Sequence, residues 1–167
     1  MKAVPMVYAG VQFRSTLEAN WAATFDGWGI HAWSYEPLAV ELSNGEKYLA
    51  DFYLTEQRVW AEVKGPHNER IDKPRRMQQE FDEIANIVLP PLVVILRAPI
   101  RERATWESAS PNQDIVLREC KTCGHTVFMD AHGDWRCRMC RTFSKPILDH
   151  RSAEVGFVRA PRSGRAA

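Results

Sequence analysis

Two short apolar runs joined by a polar turn, in the segment YLADFYLTEQRVWAEVKG, constrain this chain more than any other feature. The second run alternates, so Glu62 and Lys64 point to one face of a strand and their apolar neighbours point to the other. Asp51 lies inside the first run. Charged groups at such positions are costly to desolvate unless they pair with one another or bind a metal. The segment therefore predicts a hairpin with either an ion-pair cluster or a metal site.

A helix is predicted to begin near Ser15, because Ser15 and Glu18 form a capping-box pattern. The apolar stripe of this helix comprises Leu17, Trp21 and Phe25, which recur at helical spacing. Glu18 at its start has three possible roles. It is a partner of the cap, a partner of Arg14 one turn earlier, or a further acidic member of the charged cluster.

The remaining pattern predicts a mixed α/β sheet. Short strands interrupted at Pro37 are followed by a hairpin turn at Asn44–Gly45. A second helix has Pro74 in its first turn, and a continuous apolar run from Leu92 predicts a central strand covered on both faces. The succession of strand, helix and strand indicates a crossover connection. Residues 99–113 are predicted to be irregular.

Carboxylates from Glu18, Asp51 and Glu62 would repel one another if the fold brought them together, and a divalent cation would remove that repulsion. Hard oxygen ligands suit Mg²⁺ or Mn²⁺. Lys64 on the same strand face would orient or deprotonate a water, or stabilise developing negative charge. Such a combination is typical of sites that hydrolyse phosphodiesters.

These motifs resemble the PD-(D/E)XK nuclease superfamily. The resemblance covers residues 13–97 through RSTLEANWAATFDGWGIHAWSYEP, YLADFYL and VWAEVKG. This part of the sequence is similar to the compact cores of phage Holliday-junction-resolving endonucleases and of the endonuclease subunits of some heteromeric transposases. The resemblance implies a restriction-endonuclease-like mixed sheet flanked by helices, with Lys64 assisting the attacking water. The implied ligands of Mg²⁺ or Mn²⁺ are Glu18, Asp51, Glu62 and the backbone carbonyl of Val63.

Ala50 stands where the family motif has proline, a position at which alanine still allows the strand to place Asp51. The implied activity is a metal-dependent DNA endonuclease in phage or mobile-element DNA processing and recombination, with branched DNA such as Holliday junctions among its substrates. A resolvase must place two active sites on one junction, so that subtype predicts a homodimer. The alternatives are a catalytically silent DNA-binding or assembly protein that uses the nuclease fold as a scaffold, and a structural component of a larger complex.

All four cysteines lie between positions 120 and 140, as Cys120-x-x-Cys123 and Cys137-x-x-Cys140. This spacing matches the two knuckles of a zinc ribbon with structural Zn²⁺, and an iron–sulfur cluster is the minor alternative. The clustering, without a sign of secretion, favours metal ligation in the cytoplasm over disulfides. The predicted domains are a nuclease core at 1–107, a linker at 108–114, the zinc ribbon at 115–150 and a mobile basic tail at 151–167.

Charge is unevenly distributed along the chain. The net charge is +1, but the sequence from position 136 onward contains eight Lys or Arg residues and only two acidic residues. This basic segment either binds a polyanion such as DNA or is a solvated tail. The zinc ribbon either contacts the DNA backbone or binds a protein partner. The N-terminal residues contain no long apolar run, so we expect no membrane association and a cytoplasmic protein, in the host cell if a phage encodes it. The candidate DNA contacts are Arg14, Lys73, Arg136, Arg138 and Arg141.

Overall fold

A mixed sheet organises the structure, a computed structural model that describes residues 3–66, 68–84, 89–133, 135–143, 150–152 and 155–161. In chain order the elements are β1 (Met6–Tyr8), β2 (Val11–Phe13), α1 (Thr16–Gly27), β3 (Trp33–Tyr35), β4 (Val40–Glu41), β5 (Lys47–Tyr48), β6 (Phe52–Leu54), β7 (Val59–Lys64), α2 (Asp72–Glu83), β8 (Leu92–Ile100), β9 (Arg103–Ser108), β10 (Ile115–Cys120), β11 (Thr126–Asp130) and β12 (His150–Ser152). Neither described helix is long and apolar enough to cross a membrane.

The main sheet has the strand order β3-β6-β7-β8-β9. Strands β7 and β8 are parallel, and the other neighbours are antiparallel. Helix α2 lies in the crossover between the two parallel strands, which no hairpin turn could join. The predicted mixed α/β sheet is confirmed.

Two apolar cores cover the two faces of this sheet. Helix α1 packs through Trp21 and Phe25 against one face, together with Leu96 of β8. Helix α2 packs through Met77 against the other face, where Ile95 of β8 is buried. Alternate residues of β8 therefore enter different cores, and the prediction of a central strand covered on both faces is confirmed.

The helix starts follow the sequence signals. Ser15 is the N-cap of α1 in an extended conformation, and its hydroxyl accepts a hydrogen bond from the Glu18 N–H at 3.2 Å. Pro74 is the third residue of α2, where the helix has no internal acceptor for an N–H. In the sequence, apolar residues recur at helical spacing after Pro74, at Met77, Phe81, Ile84, Ala85 and Val88. Helix α2 ends at Glu83, and residues 85–88 lie outside the described residues.

The prediction of an irregular segment at 99–113 is wrong, because it contains β9 at the edge of the main sheet. Ala104 and Trp106 alternate with more polar residues, and Ala104 is buried. The charges that suggested a loop belong to the outer face: Glu107 pairs with Arg97 of β8. An edge strand with one solvated face accommodates such charges.

A second sheet, β11-β10-β12, follows the main sheet and shares its core. Leu117 and Phe128 of this sheet belong to the same apolar cluster as α1, with the Trp28 and Trp106 rings at 6.3 and 5.7 Å from the Phe128 ring. The domain boundaries expected from the sequence stay a prediction, but the packing between these two parts is continuous.

The expected mobile tail is wrong for residues 155–161. Phe157 and Ala160 are buried against α1. The Ala160 N–H donates to the Asn20 side chain at 2.9 Å, and the Val158 N–H donates to the Thr24 hydroxyl at 3.0 Å. These residues stay on the core because they cover apolar surface and satisfy buried polar groups. Residues 153, 154 and 162–167 of the expected tail lie outside the described residues.

Candidate functional site

Strands β6 and β7 separate at the position of Asp51. Their pairing ends at Phe52 opposite Ala61, and one further step would bring Asp51 opposite Glu62. Instead, Oδ2 of Asp51 accepts a hydrogen bond from the Val63 N–H at 2.7 Å. The carboxylate is thereby held against β7 at the point where the hairpin opens.

Glu62 and Lys64 lie on one face of β7, as predicted, and form a buried ion pair. The Lys64 ammonium is 2.6 Å from Oε1 of Glu62, and each residue is only 9% exposed. The Tyr48 hydroxyl donates to Oε2 of Glu62 at 2.8 Å. Both oxygens of Glu62 therefore have a donor, which fixes the orientation of the carboxylate and satisfies its buried charge.

The surroundings of Asp51 disfavour the charged form of its carboxyl group. Burial raises its pKa to about 7, and the negative charge of Glu62 acts in the same direction. Glu18 also raises the pKa, whereas the Val63 N–H and the charge of Lys64 lower it. Perturbation of this size is frequent at functional sites. A cation beside Asp51 would favour its charged form.

Glu18 is held by the start of its own helix. The Ser15 hydroxyl donates to Oε1 at 2.8 Å, and the Tyr35 hydroxyl donates to Oε2 at 2.5 Å. The Arg14 side chain pairs with Glu36 at 2.6 Å, whereas the Arg14 backbone N–H donates to Oε2 of Glu18 at 3.2 Å. Glu18 is therefore a cap partner that also acts on Asp51 through space.

The acidic residues are neighbours, but they do not form a compact ligand set. Within the part of the chain that the structure describes, the cysteines are the one group of three or more His, Cys, Asp or Glu residues whose ligand atoms all lie within 4.8 Å of one another. Asp51 and Glu62 have the hard oxygen donors that Mg²⁺ and Mn²⁺ prefer. Glu18 would have to leave its partners at Ser15 and Tyr35 to join them.

A cavity of about 500 Å³ opens beside the Glu62–Lys64 pair. Its wall is built by β5, β7 and the start of α2, and both signs of charge line it. The charged lining residues are Glu46, Lys47, Glu62, Lys64, Arg70, Asp72 and Lys73. Lys73 lines the cavity, and its ammonium donates to the Lys47 carbonyl at 2.9 Å.

The four cysteines meet at one point, and the predicted cysteine cluster is confirmed. The Sγ atoms of Cys120 and Cys140 are 4.0 Å apart, and those of Cys123 and Cys137 are 3.7 Å apart. Four sulfurs at the Zn–S bond length around a tetrahedral ion would be separated by about 3.8 Å. The sulfur arrangement therefore fits a structural metal ion such as Zn²⁺.

The two knuckles have the same turn with different residues at its end. The Gly124 N–H donates to the Cys120 carbonyl at 2.7 Å, and the Arg141 N–H donates to the Cys137 carbonyl at 2.9 Å. Both residues have a positive φ, 73° at Gly124 and 62° at Arg141. Glycine adopts this conformation freely, whereas arginine does so at a cost.

The expected role of Arg138 in binding DNA is wrong. Arg138 is 3% exposed, and it donates to the Gln57 carbonyl at 3.1 Å and to the Pro90 carbonyl at 2.8 Å. A guanidinium that is buried and bound to backbone carbonyls cannot reach a phosphate. Its side chain instead joins the cysteine cluster to the main sheet.

The other candidate DNA contacts differ in their surroundings. Arg14 is two-thirds exposed and pairs with Glu36. Lys73 lines the cavity and donates to the Lys47 carbonyl. The Arg136 guanidinium lies 5.8 Å from the centre of the Phe143 ring, and Arg141 is exposed at the second knuckle. Of these residues, only Lys73 lines the cavity beside the Glu62–Lys64 pair.

Sequence reasoning missed the two tyrosines of the site. Tyr35 and Tyr48 are ordinary aromatic residues of short strands in the sequence, and no spacing connects them to an acid. Their hydroxyls reach Glu18 and Glu62 only after β3 and β5 have found their partners in the fold. The one available signal is that Tyr48 opens the same apolar run as Asp51.

Comparison with known proteins leaves the function to be inferred from this geometry. No protein-family model, curated protein or solved structure matches the chain.

Proposed function

We propose that the chain is a metal-dependent DNA endonuclease of the PD-(D/E)XK type that hydrolyses phosphodiester bonds. The observation that carries the proposal is the placement of Asp51 beside the Glu62–Lys64 pair, at the point where β6 and β7 separate. The order of elements adds support, because a helix, a three-stranded meander, a crossover helix and a parallel strand agree with a restriction-endonuclease-like core.

Asp51, Glu62 and the Val63 carbonyl would hold Mg²⁺ or Mn²⁺, with Glu18 as a further ligand if it leaves the helix cap. The ion would neutralise the scissile phosphate and lower the pKa of a bound water. Burial and the charge of Glu62 hold the pKa of Asp51 at about 7. The Asp51 carboxylate would therefore be available as a ligand at neutral and higher pH.

Lys64 would orient the attacking water or stabilise the negative charge that develops on the phosphate oxygen. Its ammonium is held by Glu62 at 2.6 Å, and Glu62 is held in turn by the Tyr48 hydroxyl. This chain of hydrogen bonds fixes the direction of the ammonium before substrate arrives. Such preorganisation is what a positioned charge needs to stabilise a transition state.

The cavity beside this pair would receive the DNA backbone. Lys47, Arg70 and Lys73 lie on its wall and could contact phosphates next to the scissile one. Glu46 and Asp72 on the same wall would oppose an anion, so the net attraction depends on the basic residues reaching the phosphates. We infer that these contacts position the strand rather than read its sequence.

The cysteine cluster would hold Zn²⁺ as a structural ion. The sulfur separations of 3.7 and 4.0 Å support this assignment. The location of all four cysteines in one short segment of the chain favours zinc over an iron–sulfur cluster. Elemental analysis of the purified protein tests it, since one zinc ion per chain is expected and stoichiometric iron would contradict it.

Branched DNA in phage or mobile-element recombination is the substrate class that we propose for this nuclease. A junction resolvase requires a homodimer, so a monomeric mass in solution at all concentrations would contradict that subtype. We propose that the protein acts on DNA in the cytoplasm. A protein partner could bind through the cysteine module.

A catalytically silent DNA-binding or assembly protein is the second candidate. It is favoured by one observation: the oxygens of Glu18 and Glu62 already have donors within the protein. In that case the ion pair would be structural, and Asp51 would serve only to hold β7. DNA binding without uptake of Mn²⁺ would support this candidate.

A cleavage panel separates the two candidates. Duplex, flap, four-way-junction and single-stranded DNA are incubated with Mg²⁺ or Mn²⁺ and either wild type, Lys64→Ala or Asp51→Asn. We expect at least one DNA form to be cut by wild type, with the rate reduced on the order of 100-fold or more in both variants.

Asp114→Asn is the matched control, because Asp114 is exposed in the segment before β10. This variant should cut like wild type. Absence of cleavage by wild type on every substrate, or equal cleavage by Asp51→Asn, would contradict the proposed nuclease.

A further inference from the structure

Gln57, in the turn between β6 and β7, is attached to the second sheet by its side chain. Its amide donates to the Thr126 carbonyl at 3.0 Å, and its amide oxygen accepts from the Phe128 N–H at 3.0 Å. Gln57 is 3% exposed, which is unusual for a glutamine at a hairpin turn. The turn of the candidate catalytic hairpin is thus bound to β11 through two buried hydrogen bonds.

Arg138 binds the same turn through the backbone carbonyl of Gln57. It lies in the second knuckle, between Cys137 and Cys140, and its guanidinium donates to the carbonyls of Gln57 and Pro90. Pro90 stands two residues before β8 begins. One side chain therefore connects the cysteine cluster with the turn of the hairpin and with the entry to the central strand.

Burial of this arginine carries a cost. A methionine or leucine would fill such a position without desolvating a charge. The guanidinium is compensated here by backbone carbonyls on two segments, and it can hold both only while the knuckle keeps its shape.

We propose that the metal-loaded cysteine cluster sets the position of the β6–β7 hairpin through Arg138 and Gln57, so that the two proposed metal sites are energetically coupled. The coupling half of this inference rests on the proposed nuclease function. Strand β6 has three residues and β7 has six, so a shift of the turn is transmitted directly to Asp51 and Glu62. Loss of metal from the cysteines weakens ion binding at the carboxylates, and by reciprocity the reverse also holds.

The apolar contacts of the second sheet make the proposal testable without unfolding the protein. Leu117 and Phe128 belong to the shared apolar core, which does not include Arg138, so we expect them to stay there when Arg138 is changed. Removing the guanidinium therefore loosens the turn while leaving the second sheet in place.

The experiment compares zinc-loaded wild type with Arg138→Met and Gln57→Met. Co²⁺ substitution first reports whether the cysteine site is intact in each variant, through the thiolate charge-transfer absorbance. Hydrogen exchange of the β6 and β7 amides, including the Val63 N–H, then reports the order of the hairpin. We expect an unchanged Co²⁺ spectrum, about ten-fold faster exchange in the hairpin, and Mn²⁺ affinity reduced several-fold.

Arg136→Met is the matched control, since Arg136 belongs to the same knuckle and stacks on Phe143. It should leave hairpin exchange and Mn²⁺ affinity unchanged. Hairpin exchange at the wild-type rate in both Arg138→Met and Gln57→Met, with the cysteine site intact, would overturn the proposal. If one variant does not fold, the other decides by the same criterion.

The readouts keep this proposal separate from the nuclease function. Failure of wild type to bind Mn²⁺ would overturn the carboxylate metal site and the coupling, while the exchange data would still decide whether the cysteine module holds the hairpin. Normal Mn²⁺ binding in wild type together with unchanged affinity in both variants would overturn the coupling alone.

Discussion

The Asp51 carboxyl lies where the surrounding structure disfavours its charge. Its carboxylate accepts the Val63 N–H where a ladder bond would otherwise form, and burial beside Glu62 raises its pKa to about 7. The folded state therefore binds a proton more tightly at Asp51 than the unfolded chain does. A carboxyl with a raised pKa makes the protein less stable as pH rises from the unfolded value of 3.8 towards 7.

Replacement of Asp51 by asparagine should reveal this effect. In zinc-loaded protein without Mg²⁺ or Mn²⁺, the melting temperatures of Asp51→Asn and wild type should differ least near pH 4, because Asp51 is protonated in the folded state there and only partly ionised in the unfolded chain. Near pH 8 the variant should melt higher by about 5 °C, because wild type then carries the buried charge. Added Mn²⁺ should stabilise only wild type.

Thermal melts across pH 4–8 measure the difference, with Asp114→Asn as an exposed control. A constant offset between wild type and Asp51→Asn over the whole range would show that Asp51 is not perturbed.

The sequence predicted the site at the residue scale only in part. Alternation along one strand was enough to place Glu62 and Lys64 on one face, because strand geometry leaves no other choice. The partners of Glu18 and the burial of Arg138 could not be predicted, because both depend on contacts with residues far away in the chain. Cys-x-x-Cys spacing is local, so it predicted the cysteine cluster correctly.

At the scale of elements, helix caps and turn residues were the sequence features that best predicted where helices begin and hairpins form. Ser15 and the turn at Asn44–Gly45 act through neighbouring residues, and the structure has a helix start and the β4–β5 hairpin at these positions. Strand β9 was missed because its pairing with β8 depends on a partner strand and its charges resemble those of a loop. The first apolar run of the predicted hairpin is divided in the structure between β5, which ends at Tyr48, and β6, with Asp51 directly before β6.

The two cysteine knuckles offer a matched pair of substitutions. Gly124 and Arg141 end equivalent turns at φ 73° and 62°. Arg141→Gly should stabilise the protein by about 1 kcal/mol, because it removes the cost of a left-handed conformation at a residue with a Cβ. Gly124→Ala should destabilise it by a similar amount, although open space surrounds the position where the added Cβ would lie.

Urea unfolding of the zinc-loaded proteins measures both changes. An Arg141→Gly variant that is less stable than wild type would mean that contacts of the Arg141 side chain outweigh the strain of its backbone.

At the scale of the whole molecule, the C-terminal segment completes the core of the N-terminal helix. The Phe157 ring packs edge-on against Trp21 with 5.3 Å between ring centres. Val158 approaches α1 where Gly27 has no side chain, since a Cβ there would lie 2.8 Å from a Val158 methyl group. The sequence could not predict this packing, because the segment has the basic, small-residue composition of a disordered tail.

Truncation of Phe157 tests the importance of this packing. Phe157→Ala should lower the free energy of unfolding by about 3 kcal/mol, because it leaves a cavity against Trp21 and exposes apolar surface. Val158→Ala is the neighbouring control, since Val158 is 40% exposed, and it should cost less than about 1 kcal/mol. Equal stability of Phe157→Ala and wild type in denaturant would show that the segment contributes nothing to the core.

The hydrogen bond between Ala160 and Asn20 has a consequence for biosynthesis. The two residues are 140 positions apart in the chain. The Asn20 side-chain oxygen therefore accepts this hydrogen bond only after residue 160 has been synthesised. The core around α1, which carries Glu18, is therefore complete only when residues 157–160 have joined it, and contacts of such long range slow folding. If the protein is a nuclease, this order of events delays its activity until synthesis has passed that residue.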